Sequence, residues 1–147
     1  MERNDPTADH PIAPILDAAH AFAGGAVNEG DSVVDATVGN GHDTTFLAQA
    51  VGRGGRVYGF DVQRAALDET RRRTADAGVE GDLTLFASGH ESMRQRIPDD
   101  EHGQVAAVMF NLGYLPGGDK TTTTQPSTTL PALRQAADLL RPGGRVT

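Results

Sequence analysis

The sequence predicts an α/β fold, a doubly wound and mostly parallel sheet with helices on both faces. Three observations carry this. Short apolar segments alternate with helix-period segments from Pro11 onward. The run Gln104 to Phe110 (Gln-Val-Ala-Ala-Val-Met-Phe) is nearly all apolar, as a parallel strand covered on both faces should be. The stretch Val33-Val34-Asp35-Ala36-Thr37-Val38-Gly39-Asn40-Gly41-His42-Asp43-Thr44 reads as a buried strand, an acid, a Gly-x-Gly turn and a helix start.

The elements follow in order. Residues 1–10 are polar and expected to be loose, with one domain over 11–147. From Pro11 to about Val27, the residues Ile12, Ile15, Leu16, Ala19, Phe22 and Ala23 recur at helical spacing. Ser32 to Ala36 is the first strand. A helix from His42 or Asp43 to Val51 turns Phe46 and Leu47 inward, and Gly52-Arg53-Gly54-Gly55 stops it. Strand two spans 56–60, and a helix over 62–77 is closed by Gly78. Asp82 to Phe86 alternates as strand three, and a short helix ends near Arg96. Strand four is Gln104–Phe110, followed by a Gly- and Thr-rich loop from Asn111 to Thr124. A helix over Thr129–Leu140 places Leu130, Leu133, Ala137 and Leu140 on one face, and strand five opens at Arg145.

Composition narrows the function classes. The chain has 147 residues, a net charge of −7 and no cysteine, which removes disulfides, thiolate nucleophiles and Cys-type zinc sites. No apolar run is long enough to span a bilayer, and Met1-Glu2-Arg3-Asn4-Asp5-Pro6 carries no signal-peptide pattern, so the expectation is a soluble cytoplasmic protein with no membrane partner. The acidic total argues against nonspecific polyanion binding. Arg71, Arg72 and Arg73 read as a solvated helix face. No histidine pair has metal-ligand spacing on a helix, and no metal is expected. Lys120 follows Gly117-Gly118-Asp119 without an adjacent Gly-Lys-Thr, so this is not a phosphate-binding P-loop.

In such a sheet the loops at the carboxyl ends of the strands converge on one crevice. Here they carry Gly39 to Asp43, Asp61 to Gln63, Ser88 to His90 and Asn111 to Asp119. The acid ending strand two, Asp61, is placed to accept from the hydroxyls of a ribose. A dinucleotide site would want a third glycine where Thr44 stands. The pattern present, with Asp35 four residues before Gly39 and Gly41 closing the turn, resembles the first motif of S-adenosylmethionine-dependent methyltransferases. That resemblance implies a Rossmann-like class I methyltransferase fold and S-adenosylmethionine as cofactor, with Asp61 on the ribose diol and Gln63 near the adenine or ribose. Asp35 can also be read as a carboxylate that caps the helix or braces the loop, a role compatible with cofactor binding.

After strand four, Asn111-Leu112-Gly113-Tyr114 resembles the Asn-Pro-Pro-Tyr motif of methyltransferases acting on amino nitrogens, with Leu-Gly in place of the rigid Pro-Pro. In that motif the Asn side-chain carbonyl and a following backbone carbonyl accept the amine hydrogens, and the aromatic ring packs on the acceptor base. An alkylamine acceptor must also lose a proton, to His90, Asp119 or solvent.

Taken together, the segments 35–44, 60–63 (Phe-Asp-x-Gln), 89–91 (Gly-His-Glu) and 111–120 are similar to the family first described as rRNA methylases. Its members convert wobble 5-aminomethyl-2-thiouridine of tRNA to the 5-methylaminomethyl form. The resemblance implies cofactor contacts at Asn40, Asp43, Asp61, Gln63, Ser88 and His90, beside Asp35, Gly39 and Gly41. It implies acceptor-side roles for Asn111, Tyr114 and the loop Gly117, Gly118, Asp119 and Lys120. It also implies an RNA partner at the tRNA anticodon region, with Arg64, Arg94, Arg96 and Lys120 toward phosphates. The other readings are a small-molecule or rRNA methyltransferase on the same fold, or an inactive cofactor-binding remnant. Family members continue past strand five through a Tyr-x-Gly-His segment and further strands, whereas this sequence stops at Thr147. A C-terminally short chain would expose strand five as an edge that invites pairing with another chain, a homodimer included.

Overall fold

The computed structural model describes residues 12–112 and 125–147, apart from the side chains of residues 12 and 13. Its elements are α1 (Ile12–Gly24), β1 (Ser32–Asp35), α2 (His42–Val51), β2 (Arg56–Asp61), α3 (Arg64–Asp76), β3 (Asp82–Ala87), α4 (Met93–Arg96), β4 (Val105–Met109), α5 (Pro126–Leu139) and β5 (Leu140–Val146). A 3₁₀ turn at His90–Ser92 leads into α4. The strands form one sheet in the order β3-β2-β1-β4-β5. Every pairing in it is parallel. The strand order reverses between β1 and β4, and that is where such sheets open a crevice for ligands.

Alternation along the strands builds two cores. Val33 and Val57 lie on one face with Leu47, Ala48 and Val51 of α2 and Ala23 of α1. Val34, Tyr58 and Phe60 lie on the other with Met93 of α4 and Ala132, Ala136 and Leu139 of α5. β1 and β4 are buried along their whole length because helices cover both faces. β3 alternates between exposed and half-buried residues, as an edge strand does. Fully burying side chains such as Phe60 and Leu47 contributes about 1.5–3 kcal/mol each.

Several boundaries and faces differ from the sequence reading. Helix α5 starts three residues early, because Pro126 supplies a ready-made first turn and the Gln125 carbonyl accepts from Thr128 and Thr129. Its core face is Thr129, Ala132, Ala136 and Leu139, while Leu130 and Leu133 point outward. The small residues let the helix lie close on the sheet, which hydrophobicity alone does not reveal. β5 begins at Leu140, and the pairing with β4 shifts register between Val105 and Ala107, so the Arg141-Pro142-Gly143-Gly144 corner is a bulge inside the strand. Among the described side chains of α1 only Ala23 is fully buried, and Ile15, Leu16 and Phe22 remain exposed. Gly78 follows α3 with φ 65°, as its expected role requires.

Arg141 ties the β5 edge back to the start of β1. Its guanidinium donates to both oxygens of Asp31, at 2.8 Å each, and to the Ala26 carbonyl. Arg145 donates to the Phe22 carbonyl and stacks over the Phe22 ring. No helix of the described residues is long and apolar enough to cross a membrane.

Candidate cofactor and acceptor site

The turn after β1 is built from its own carboxylates. Asp35 is fully buried; its Oδ2 accepts from the Thr44 hydroxyl at 2.6 Å and its Oδ1 from the Thr37 amide at 3.1 Å. Thr44 therefore stands where a third glycine would, because the buried acid needs its hydroxyl. Burial raises the Asp35 carboxyl to about 7; the Thr44 and Thr37 bonds oppose the rise, and the neighbouring Asp43 and Asp61 charges add to it.

Asp61, half-buried at the end of β2, braces the same turn from the side. Its Oδ2 accepts from the Gly39 amide at 2.9 Å and its Oδ1 from the Gln63 amide at 2.8 Å. Each carboxylate oxygen keeps a second lone pair for another donor. Gly39 and Gly41 have φ of 54° and 85°, the left-handed region that favours glycine. At Gly41 a Cβ would sit 2.6 Å from the Thr70 hydroxyl oxygen. The Asn40 carbonyl accepts from Nε of Arg73 at 2.8 Å, so α3 clasps the turn from outside.

Asp43 takes a different partner. Its Oδ1 accepts from Nε2 of His20 at 2.6 Å, and the His20 ring stacks on Phe46 at 4.1 Å with an interplanar angle of 4°. Helix α1 is thereby latched onto the first turn of α2. His90 is buried. Its Nδ1 donates to the Ala36 carbonyl at 3.1 Å, since a carbonyl can only accept, and its Nε2 lies 3.4 Å from the Thr129 hydroxyl. Ser88 donates to Ser92, which donates to the Gly89 carbonyl and tightens the turn into α4.

Asn111 is exposed at the mouth of the crevice, with its amide donating to Thr37 Oγ1 at 2.6 Å. The structure thus gathers Asp35, Gly39, Asn40, Gly41, Asp43, Asp61, Gln63, Ser88, His90 and Asn111 at the carboxyl edge of the sheet. Tyr114, Gly117, Gly118, Asp119 and Lys120 lie outside the described residues. Of the arginine cluster on α3, Arg71 and Arg72 form the solvated face expected, pairing with Asp68 at 3.0 Å and with Glu69, whereas Arg73 is half-buried, pairing with Glu69 while its Nε reaches the Asn40 carbonyl. Arg94 pairs with the exposed Asp138 at 3.2 Å. An open groove of about 680 Å³ lies outside α2 and α3, lined by residues such as His42, Phe46, Gln49 and Arg72; none of the predicted site residues borders it.

Sequence reasoning gave no site role to His20, Thr37 or Thr70, and it placed Arg73 on a solvated face although its guanidinium holds the glycine turn. His20 looked like an ordinary helix histidine, because its acid lies 23 residues away. Thr37 carried a weak signal, a β-branched hydroxyl residue set between a buried strand and a glycine turn.

The model of the family described as "Putative rRNA methylase" matches residues 57–147. A tRNA (mnm(5)s(2)U34)-methyltransferase of Arabidopsis thaliana chloroplasts is 38% identical over 139 residues, covering 89% of this chain and 50% of the relative. The chain therefore spans about half the length of that protein. Among solved structures, a "putative rRNA-methylase" from Clostridium thermocellum superposes with a TM-score of 0.83 at 46% identity, over 89% of this chain and 68% of that one. A "putative methyltransferase" from Streptococcus mutans, solved in complex with SAH, gives 0.78 at 34% identity over 89% and 69%. A Thermotoga maritima O-methyltransferase, 19% identical with a TM-score of 0.64 over 94% of this chain and 43% of that one, shares the Rossmann-like methyltransferase fold. With its parallel sheet, its glycine turn between two carboxylates and these relatives, the chain belongs to the rRNA methylase family.

Proposed function

We propose that this chain is an S-adenosylmethionine-dependent N-methyltransferase acting on RNA, and that its acceptor is the aminomethyl group of wobble 5-aminomethyl-2-thiouridine in tRNA. The observation that carries the reading is the adjacency of two segments. The turn braced by Asp61 and the first residue of the Asn-x-x-Tyr segment are one hydrogen bond apart through Thr37. The Arabidopsis relative supports the tRNA acceptor, and the SAH bound to the Streptococcus protein, the demethylated form of the cofactor, supports the cofactor.

The residues present fit that group. The positive-φ glycines bring bare backbone to the crevice, and the free lone pairs of Asp61 suit a ribose diol. S-adenosylmethionine, when bound, supplies a methyl carbon already activated by its sulfonium. The protein then has to align the nucleophile and exclude water. Asn111 offers a side-chain carbonyl to an N–H of the acceptor amine, which leaves the nitrogen lone pair directed at the cofactor seat. His90 has both ring nitrogens engaged within the protein, Nδ1 at Ala36 and Nε2 facing Thr129, which leaves Asp119 or solvent to take the proton of the amine.

The test is to incubate the chain with labelled S-adenosylmethionine and tRNA bearing the aminomethyl group, then digest the RNA and identify the labelled nucleoside. Label in 5-methylaminomethyl-2-thiouridine is expected. Label in another nucleoside would redirect the acceptor assignment, and transfer to small amines but not RNA would remove RNA as substrate.

A further inference from the structure

The ladder between β1 and β4 stops one rung short, and the way it stops involves a residue with no assigned role. The Ala36 amide donates to the Met109 carbonyl at 2.8 Å. In a regular parallel pair with this register, the next rung would run from the Asn111 amide to the Ala36 carbonyl. That rung is absent. The Ala36 carbonyl accepts from His90 Nδ1 instead, and the Asn111 amide donates to Thr37 Oγ1 at 2.6 Å. The following donor of this segment, the Val38 amide, turns the other way and donates to Phe60 at the end of β2.

The strands therefore part between Ala36 and Asn111, at the point where the strand order reverses. A side-chain acceptor reaches farther from the strand than a backbone carbonyl, so Asn111 is held away from β1 while still tethered to it. Thr37 is itself fixed, because its amide donates to the buried Asp35 carboxylate at 3.1 Å. One residue thus has its backbone anchored in the glycine turn and its hydroxyl on the first residue of the acceptor segment.

We propose that Thr37 is a positioning residue for methyl transfer, its hydroxyl replacing a sheet rung and setting where Asn111 stands relative to the Gly39–Gly41 turn. This deepens the acceptor reading of Asn111 and rests on it. The hydroxyl hydrogen is not used by the Asn111 amide, so the oxygen can hold Asn111 and still donate into the crevice.

The experiment compares Thr37→Val, which keeps shape and loses the oxygen, with Thr37→Ser, which keeps the oxygen; Thr37→Ala serves if the valine variant does not fold. Three quantities are read on the full chain: hydrogen exchange of the Asn111 amide by NMR, affinity for S-adenosylhomocysteine by calorimetry, and kcat against KM for the aminomethylated tRNA. In the variants lacking the oxygen, the Asn111 amide should exchange about tenfold faster. Their kcat should fall about 10- to 100-fold with KM and cofactor affinity held. Thr37→Ser should restore both. An unprotected Asn111 amide in the wild type, wild-type kcat in Thr37→Val, a serine variant as slow as the valine one, or a matching loss of cofactor affinity overturns the proposal. Asn111→Ala separates the two levels. If it is slow while Thr37→Val is not, only the role of Thr37 falls; if it turns over normally, the acceptor reading falls and the proposal falls with it.

Discussion

The Gly39 amide donates to Asp61 at 2.9 Å across the crevice between the loops after β1 and β2, so the second acid of the motif shapes the turn as well as offering lone pairs to a ligand. Its other oxygen holds the Gln63 amide at 2.8 Å. Asp61→Asn has one acceptor oxygen for two backbone donors, and its NH₂ must face one of them. The variant should lose about 1–3 kcal/mol of stability by urea unfolding. Its affinity for S-adenosylmethionine should fall about tenfold or more by calorimetry, because a charge-assisted bond is also lost. Wild-type values for both would remove Asp61 from the turn and from the site.

Asp35 makes stability depend on pH in a direction opposite to that of a salt-bridged acid. Burial raises its carboxyl from 3.8 to about 7, against the pull of the Thr44 hydroxyl, and the Asp43 and Asp61 charges add to the rise. Between those two values the native chain holds a proton that the unfolded chain has released. The contribution is therefore fully present below about pH 4, declines as pH rises, and is gone above about pH 7. Asp35→Asn cannot titrate. The stability of wild type relative to this variant should fall on the order of 1.4 kcal/mol for each pH unit within the window. Urea midpoints at several pH values between 5 and ~8 check this; parallel curves for the two proteins would show that the native carboxyl is not raised.

The sheet was legible because its signals are local. An apolar β4, an alternating β3 and glycine-bounded helices each declare themselves within a few residues, and the first four strands appear where period and punctuation place them, whereas β5 begins at Leu140 because the Pro-Gly-Gly corner that reads as a helix stop is a bulge inside the strand. The face of α5 was not legible, since Ala132 and Ala136 are buried by close helix–sheet approach while the larger Leu130 and Leu133 stay out. The carboxylates and glycines of the site were readable as a motif with fixed spacing. Their partners were not: Thr70 and Arg73 meet the turn from a helix more than twenty residues on, and His20 reaches Asp43 from a helix before it. Such contacts exist only once the chain has folded, so residue spacing carries no trace of them.

Gly41 and Gly78 separate backbone strain from steric exclusion. Both have positive φ, 85° and 65°, but a Cβ at Gly41 would press on Thr70 whereas at Gly78 it meets open space. Gly78→Ala should cost about 1 kcal/mol, the conformational penalty alone. Gly41→Ala should cost about 2–4 kcal/mol and reduce cofactor affinity, because the turn must shift off α3. Thermal unfolding of the two variants tests the difference. Equal losses would mean that Thr70 moves aside freely.

His20 and Asp43 join α1 to α2 at 2.6 Å, and the stack of His20 on Phe46 fixes the ring at that contact. Most of α1 beyond this point is exposed, with Ala23 its one fully buried side chain among the described residues, so the latch carries a large share of the attachment of the helix. His20→Ala leaves the buried Asp43 without this donor and should cost about 1–3 kcal/mol. In a double-mutant cycle with Asp43→Ala the coupling should be about 1–2 kcal/mol, since the side chains are in contact and each single change removes the same bond. Amide exchange should rise along α1 in both single variants, with β2 and β4 unchanged, because the helix is released while the sheet keeps its own ladder and core. A coupling near zero would mean that α1 is held by Ala23 and the Arg145 contact on Phe22, with the His20–Asp43 bond contributing nothing to its docking.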